Sequence, residues 1–188
     1  MSKFRKALLD TSLFRRSYII CLFCSNISFV LIPAYAVLAA LFIWGVFLMV
    51  YNAVKRHTVQ RTRYGLWLAA FVLSSFITII VHLASSPLYN AINVMMVLHV
   101  AVCFFVFYSV HTEDGLNFRR ELYSICRFIV YTTTVLGIAG LAFLMAEISF
   151  EVLWFKFIVF ENRFDGMFVN PNQLAFVNVV AIFCCHML

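Results

Sequence analysis

Charge is scarce in this sequence. Asp, Glu, Lys and Arg make up 12% of its 188 residues, about half the share of an ordinary soluble domain, while 64% are apolar and 18% aromatic. A soluble globular class is thereby excluded: one domain's length of chain has no core large enough to hide such a surplus, so the apolar surface faces lipid. Proline and glycine are also few, three and six respectively, so the breaks between helices can be placed. The net charge of +6 is gathered at the ends of apolar runs, where it reports topology rather than a nucleic-acid partner. No internal repeat or low-complexity tract is present.

Two stretches lack charge altogether, 38 residues between Arg16 and Lys55 and 49 between Arg63 and Glu113. As single helices they would extend roughly 57 and 73 Å, against a hydrocarbon core of about 30 Å. Each must therefore fold back once. Proline favours a break near Ile32-Pro33-Ala34, giving spans of about 17–31 and 35–54. The segment Ala84-Ser85-Ser86-Pro87-Leu88-Tyr89-Asn90 divides the second run into about 64–83 and 91–110. A fifth span covers about 128–146 and a sixth about 171–188. The expected fold is all-α, a polytopic transmembrane helix bundle of about six spans forming one integral-membrane domain over residues 1–188.

With these hairpins, one face receives twelve of the fourteen basic residues, from Lys3 to Arg16, Lys55 to Arg63 and Arg119 to Arg127, against four acidic ones, a net +8. The other face holds Lys156 and Arg163 against Glu147, Glu151, Glu161 and Asp165, a net −2. The N-terminus is expected to be cytoplasmic. Were Ser17–Val54 one kinked helix, two equally basic segments would lie on opposite sides of the membrane.

Residues 1–16, 18–31 and Pro33-Ala34-Tyr35-Ala36 also resemble a basic leader, an apolar segment and a cleavage site. However, Val37–Val50 resumes apolar at once, with no polar domain following, which favours a retained hairpin. Cys21 and Cys24 have C-x-x-C spacing inside an apolar span, and Cys184-Cys185 lie deep in the last. Without a second pair or a hydrated route, no metal or cofactor is expected of them. Of five histidines, His57 and His111 fall in cytoplasmic loops, His82 and His186 near span ends, and His99 at mid-span. His99 is either functional or a neutral ring bonded to a neighbouring helix.

The outer segment from Glu147 to the sixth span is more informative. Phe150–Phe160 is aromatic and broken by charges, the composition of an interfacial belt. Next come Glu161-Asn162-Arg163-Phe164-Asp165-Gly166-Met167-Phe168-Val169-Asn170-Pro171-Asn172-Gln173-Leu174-Ala175-Phe176. Asn170 suits an N-cap, Pro171 the first helical position, and Gln173 the reciprocal place in a capping box. A helix start attracts anions, and an arginine grips phosphate in a bidentate manner. Gly166 permits a turn that folds Arg163 back over that start; alternatively Arg163 pairs with Asp165 or Glu161.

The string Arg163-Phe-Asp-Gly166-Met-Phe-Val-Asn170-Pro171-Asn172-Gln-Leu-Ala175 resembles the R-x-x-G-x-F-x-N-P-N-x-L-A signature of the O-antigen ligase and polysaccharide polymerase family. The five preceding spans resemble that family's N-terminal half. The resemblance implies cell-envelope polysaccharide assembly in the bacterial inner membrane. In this family a membrane glycosyltransferase moves a glycan from a polyprenyl-pyrophosphate carrier to a glycan, lipid or protein acceptor on the outer face. It implies no metal and no cofactor, because the lipid pyrophosphate is already an activated leaving group. Arg163, Gly166, Asn170 and Asn172 would form the pyrophosphate site, Asn172 either in contact with it or ordering the turn. The family's presumed base, a histidine on a long external loop, has no counterpart here, so no catalytic residue is assigned. Family members have about twice as many spans, and on that ground the chain is expected to be the N-terminal portion of a longer protein, inactive alone. Two rival classes are a non-catalytic membrane scaffold packed through Gly137, Gly140 and Ser74-Ser75, and a transporter or flippase segment centred on His99.

Overall fold

The computed structural model describes residues 7–56, 65–82, 90, 93–94, 97–99, 115–148, 150–152, 155–157 and 166–188. Among them the chain is helical apart from one small hairpin. The helices are α1 (Thr11–Cys24), α2 (Leu31–Tyr51), α3 (Gly65–Val81), α4 (Gly115–Met145) and α5 (Pro171–Met187). The hairpin pairs β1 (Phe150–Val152) antiparallel with β2 (Phe155–Phe157), in the register Phe150 to Phe157, Glu151 to Lys156 and Val152 to Phe155. The expected fourth span lies mostly outside the described residues.

Two helical segments, Ser28–Tyr51 and Arg119–Met145, are long and apolar enough to cross a membrane. Protein buries only 22% and 17% of their apolar windows, whereas the core helix of a soluble protein would be mostly covered. Shorter apolar helices run over Ala69–Val81 and Pro171–Met187. Large side chains such as Ile43, Trp67, Ile138 and Ile182 are exposed on these surfaces.

The first break falls earlier than proline suggested. The chain leaves α1 at Ser25-Asn26, and Pro33 lies inside the first turn of α2, where its missing N–H has no intrahelical acceptor to lose. The Ser25 hydroxyl donates to Leu22 O at 2.7 Å, and the Asn26 amide donates to Leu22 O at 2.9 Å and Phe23 O at 3.2 Å. These side chains take up Leu22 O, which the end of α1 leaves unpaired, and add a second bond to Phe23 O, which also accepts the Asn26 backbone N–H at 3.1 Å. The far end of α4 closes in a Schellman motif: Ile148 N–H donates to Phe143 O at 3.0 Å and Glu147 N–H to Leu144 O at 3.2 Å. Glu147 occupies the left-handed position, φ 54°, usually taken by glycine.

The contacts divide the chain into two compact units, residues 1–11 with 42–112 and residues 12–41 with 113–188, so α2 passes from one to the other. In the second unit the core is built from Phe23 and Ile27, from Ile125, Cys126 and Ile129 on α4, and from Phe168, Val177, Ala181 and Cys184. The three- and four-residue spacings on α4 and α5 put each set on one helical face. Phe23 meets Phe128 edge-on at 5.9 Å. A buried ion pair joins α1 to α4: Arg15 Nη2 donates to both Glu121 oxygens at 3.0 and 3.1 Å, and Nε to one of them at 3.2 Å.

In the other unit, polar side chains turn inward to the backbone. Trp44 donates to Leu8 O at 2.7 Å and Asn90 to His82 O at 2.6 Å, while Ser74 and Thr78 bond back to Phe71 O and Ser74 O. Such bonds spare hydroxyls and amides from apolar surroundings. The His99 ring stacks on Phe42 at 4.7 Å.

Two stability predictions follow from these contacts. Arg15→Met strands a buried carboxylate and should cost about 3–5 kcal/mol, whereas Arg15→Met with Glu121→Leu should recover most of it; thermal unfolding in detergent measures both. Glu147→Gly, which relieves the left-handed strain, should stabilise by up to about 1 kcal/mol in the same assay.

Candidate functional site

The described part of the motif, from Gly166 onward, is held by the turn between α1 and α2. Ser28 N–H donates to Met167 O at 3.0 Å and Val169 N–H to Asn26 O at 3.1 Å, which makes Ile27 and Phe168 an antiparallel bridge. Phe168, 2% exposed, is driven into the core beside Ile27 and Phe23. Sequence reasoning missed this partner. Its only trace there is a polar doublet, Ser25-Asn26, in an otherwise apolar run.

Within the motif most of the described residues have a structural duty. Gly166 turns the chain at φ 60°, a conformation that costs an L-residue about 1–2 kcal/mol. Phe168 anchors the strand, and Asn170, extended at φ −161°, caps α5 by accepting the Gln173 N–H at 2.9 Å. Pro171 begins the helix, and Leu174 packs on the core. The reciprocal half of the expected capping box is not made, because Gln173 Oε1 is buried without a hydrogen-bond partner.

This arrangement limits what the helix start can bind. Pro171 has no N–H, the Gln173 N–H is taken by the cap, and the Leu174 N–H bonds Asn170 O at 3.1 Å. Asn172 therefore supplies the one uncommitted amide of the first turn among the described residues, and its side chain is exposed beside it. The turn is ordered by Asn170, and Asn172 makes no described hydrogen bond that would order it as well. One backbone N–H with a helix dipole attracts an anion but does not enclose a pyrophosphate, so any tight grip must come from another donor. Arg163 is the residue expected in that role. It lies outside the described residues, as do Glu161 and Asp165, its alternative partners.

A concavity of about 440 Å³ opens between α4 and α5 in the same unit. It is lined by Thr133, Thr134, Gly137, Asn178, Ala181 and Cys185 among others. The Thr133 hydroxyl is buried without a partner, and a side chain at Gly137 would meet nothing within 4 Å. Among the described residues, no group of three His, Cys, Asp or Glu side chains is placed to hold a metal ion.

No known protein family matches the chain, and no curated protein or solved structure shows detectable similarity to it.

Asn170→Ala should cost about 1 kcal/mol and speed hydrogen exchange at the Gln173 amide, while Asn170→Ser should keep both near the starting values. Hydrogen exchange followed by mass spectrometry of the 166–176 segment checks this directly.

Proposed function

We propose that this protein is a multi-pass component of polysaccharide assembly in the bacterial inner membrane, with about six spans and a cytoplasmic N-terminus. Its activity is glycan transfer from a polyprenyl-pyrophosphate carrier to an acceptor glycan, lipid or protein on the outer face, in the manner of O-antigen ligases and polymerases. The observation that carries this reading is a division of labour in the motif. Gly166, Phe168, Asn170 and Pro171 are consumed in building and seating a helix start, which leaves Asn172 presented at that start with no structural work. Arg163 is the motif's one cation.

In the proposed reaction an acceptor hydroxyl attacks the anomeric carbon of the donor sugar. A bond forms between them, the sugar–phosphate bond breaks, the polyprenyl pyrophosphate leaves with the electron pair, and the hydroxyl proton passes to the departing phosphate oxygen. Charge grows on the departing oxygens, and Arg163 neutralises it while the Asn172 amides and the helix dipole add to the field. Arg163→Ala or Arg163→Lys in the native protein should lower glycan transfer on the order of a hundredfold, with lipid-linked glycan accumulating and membrane insertion unchanged. Asn172→Ala should cost several-fold. Unaltered transfer in Arg163→Ala would remove the phosphate role.

A second reading, a membrane subunit that docks a further helix, is favoured by the groove between α4 and α5, whose mainly apolar lining includes the small residues Gly137 and Ala181 and the polar side chains Thr133 and Asn178 and suits close helix packing. It predicts that Gly137→Leu abolishes a co-purifying partner while Arg163 variants have no effect on lipid-linked glycan. The stacking of His99 on Phe42 favours a packing role for that histidine over transport.

A further inference from the structure

The depth of the groove between α4 and α5 is set by the charges on either side of it. Arg127 and Glu147 bound the apolar stretch of α4, and Gly137 lies midway between them in the sequence. At 1.5 Å per residue it is about 15 Å from either boundary, the middle of a hydrocarbon core about 30 Å thick. Asn178 on α5 lines the same concavity as Gly137 and so shares its depth.

Asn178 is exposed there and makes no hydrogen bond among the described residues. Ser74 and Thr78, by contrast, bond back to their own helix. A carboxamide offers two donors and an acceptor, and leaving them open to lipid is costly; in membrane helices such a group is satisfied by a neighbouring helix. Asn178, Ile182 and Cys185 share one face of α5 by their helical spacing, and all three are exposed and line the groove. No charged side chain lines it, so it suits an uncharged occupant with a hydrogen-bonding group at mid-depth.

Two copies of the chain in one membrane share an orientation, so a twofold axis between them runs along the membrane normal and equivalent residues meet at equal depth. Such a contact demands a self-complementary surface. The groove has it in chemistry, because the Asn178 carboxamide is donor and acceptor at once and pairs reciprocally with its own equivalent. It has it in shape as well: the small residues Gly137 and Ala181 lie beside Ile138 and Ile182, which are 66% and 69% exposed.

We propose that the protein forms a homodimer in the membrane, joined through the α4–α5 groove by a reciprocal pair of hydrogen bonds between the two Asn178 side chains. Packing of Ile138 and Ile182 of each copy against the small residues of the other supplies the close contact on which helix association in lipid depends. The same twofold brings the two Cys185 side chains together, two helical turns along α5 from Asn178. This commits the groove of the second reading above to a second copy, and it does not depend on glycan transfer.

The test uses the purified full chain, labelled at its N-terminus with donor or acceptor fluorophores and reconstituted in phosphatidylcholine vesicles, with Förster transfer followed as the protein is diluted in lipid. Transfer should exceed that of random proximity and follow a monomer–dimer equilibrium. Asn178→Leu should weaken association about tenfold, while Asn178→Gln should retain most of it. Gly137→Leu should fold and remain monomeric, because a Cβ at that position meets nothing within 4 Å in the chain itself. Asn178→Ala replaces either leucine variant that fails to fold. Contact oxidation in native membranes should give a product of twice 21.7 kDa, and Cys185→Ser should remove it. Transfer no greater than random proximity, undiminished association in the Asn178 and Gly137 variants, or a dimer cross-link that survives Cys185→Ser would each overturn the proposal. A Cys185 cross-link to a different membrane protein, with no dimer product, would overturn it as well, since the groove would then belong to that partner.

Discussion

Two backbone hydrogen bonds, Ser28 N–H to Met167 O and Val169 N–H to Asn26 O, hold the candidate site in place. They tie the strand before α5 to the turn after α1, and the burial of Phe168 and Ile27 on the bridge shields them from competing water. Without them the chain entering α5 would have nothing to lean on, and Gly166, Asn170 and Asn172 would be a local turn with no fixed direction. A cap alone is worth about 1 kcal/mol. Placement comes from the bridge and the core beneath it.

The same economy of polar groups governs the rest of the molecule. The surfaces of α2 and α4 are largely left uncovered by the chain itself, and in apolar surroundings each unpaired donor or acceptor is expensive. Ser25 and Asn26 therefore close α1, Ser74 and Thr78 bond to their own helix, and Arg15 is matched with both oxygens of Glu121. Against that background the exceptions point to interaction. Arg16 Nε and the Thr133 hydroxyl are buried without partners, while Asn172 is presented at a helix start with nothing to do. The proposed function is built on the last of these exceptions.

The helix start also changes the weight carried by individual motif residues. Read as a sequence, Arg163, Gly166, Asn170 and Asn172 form one set. The fold separates them into residues that shape the turn, Gly166 and Asn170, and a residue that the turn presents, Asn172. Because proline and the cap leave one free amide in the first turn, that of Asn172, an anion there depends on side-chain donors more than on the helix itself. That shifts the chemical burden toward Arg163 and explains why a lysine in its place should not suffice.

The sequence alone was enough for most of what depends on short range. The helical class, the long apolar segments and the start of α5 at Asn170-Pro171 follow from composition, hydrophobic run length and local capping, whose partners lie within four residues. The end of α1 was misread because proline is a strong local signal, yet at the third position of a helix it costs nothing, and the quieter doublet Ser25-Asn26 does the terminating. Long-range pairings were decided only by tertiary structure. Arg15 finds Glu121 across 106 residues, and Ile27 meets Phe168. No local pattern distinguishes Arg15 from Arg16, since both are arginines at the edge of one apolar helix. Which of them is paired depends on the single helical face that α4 covers.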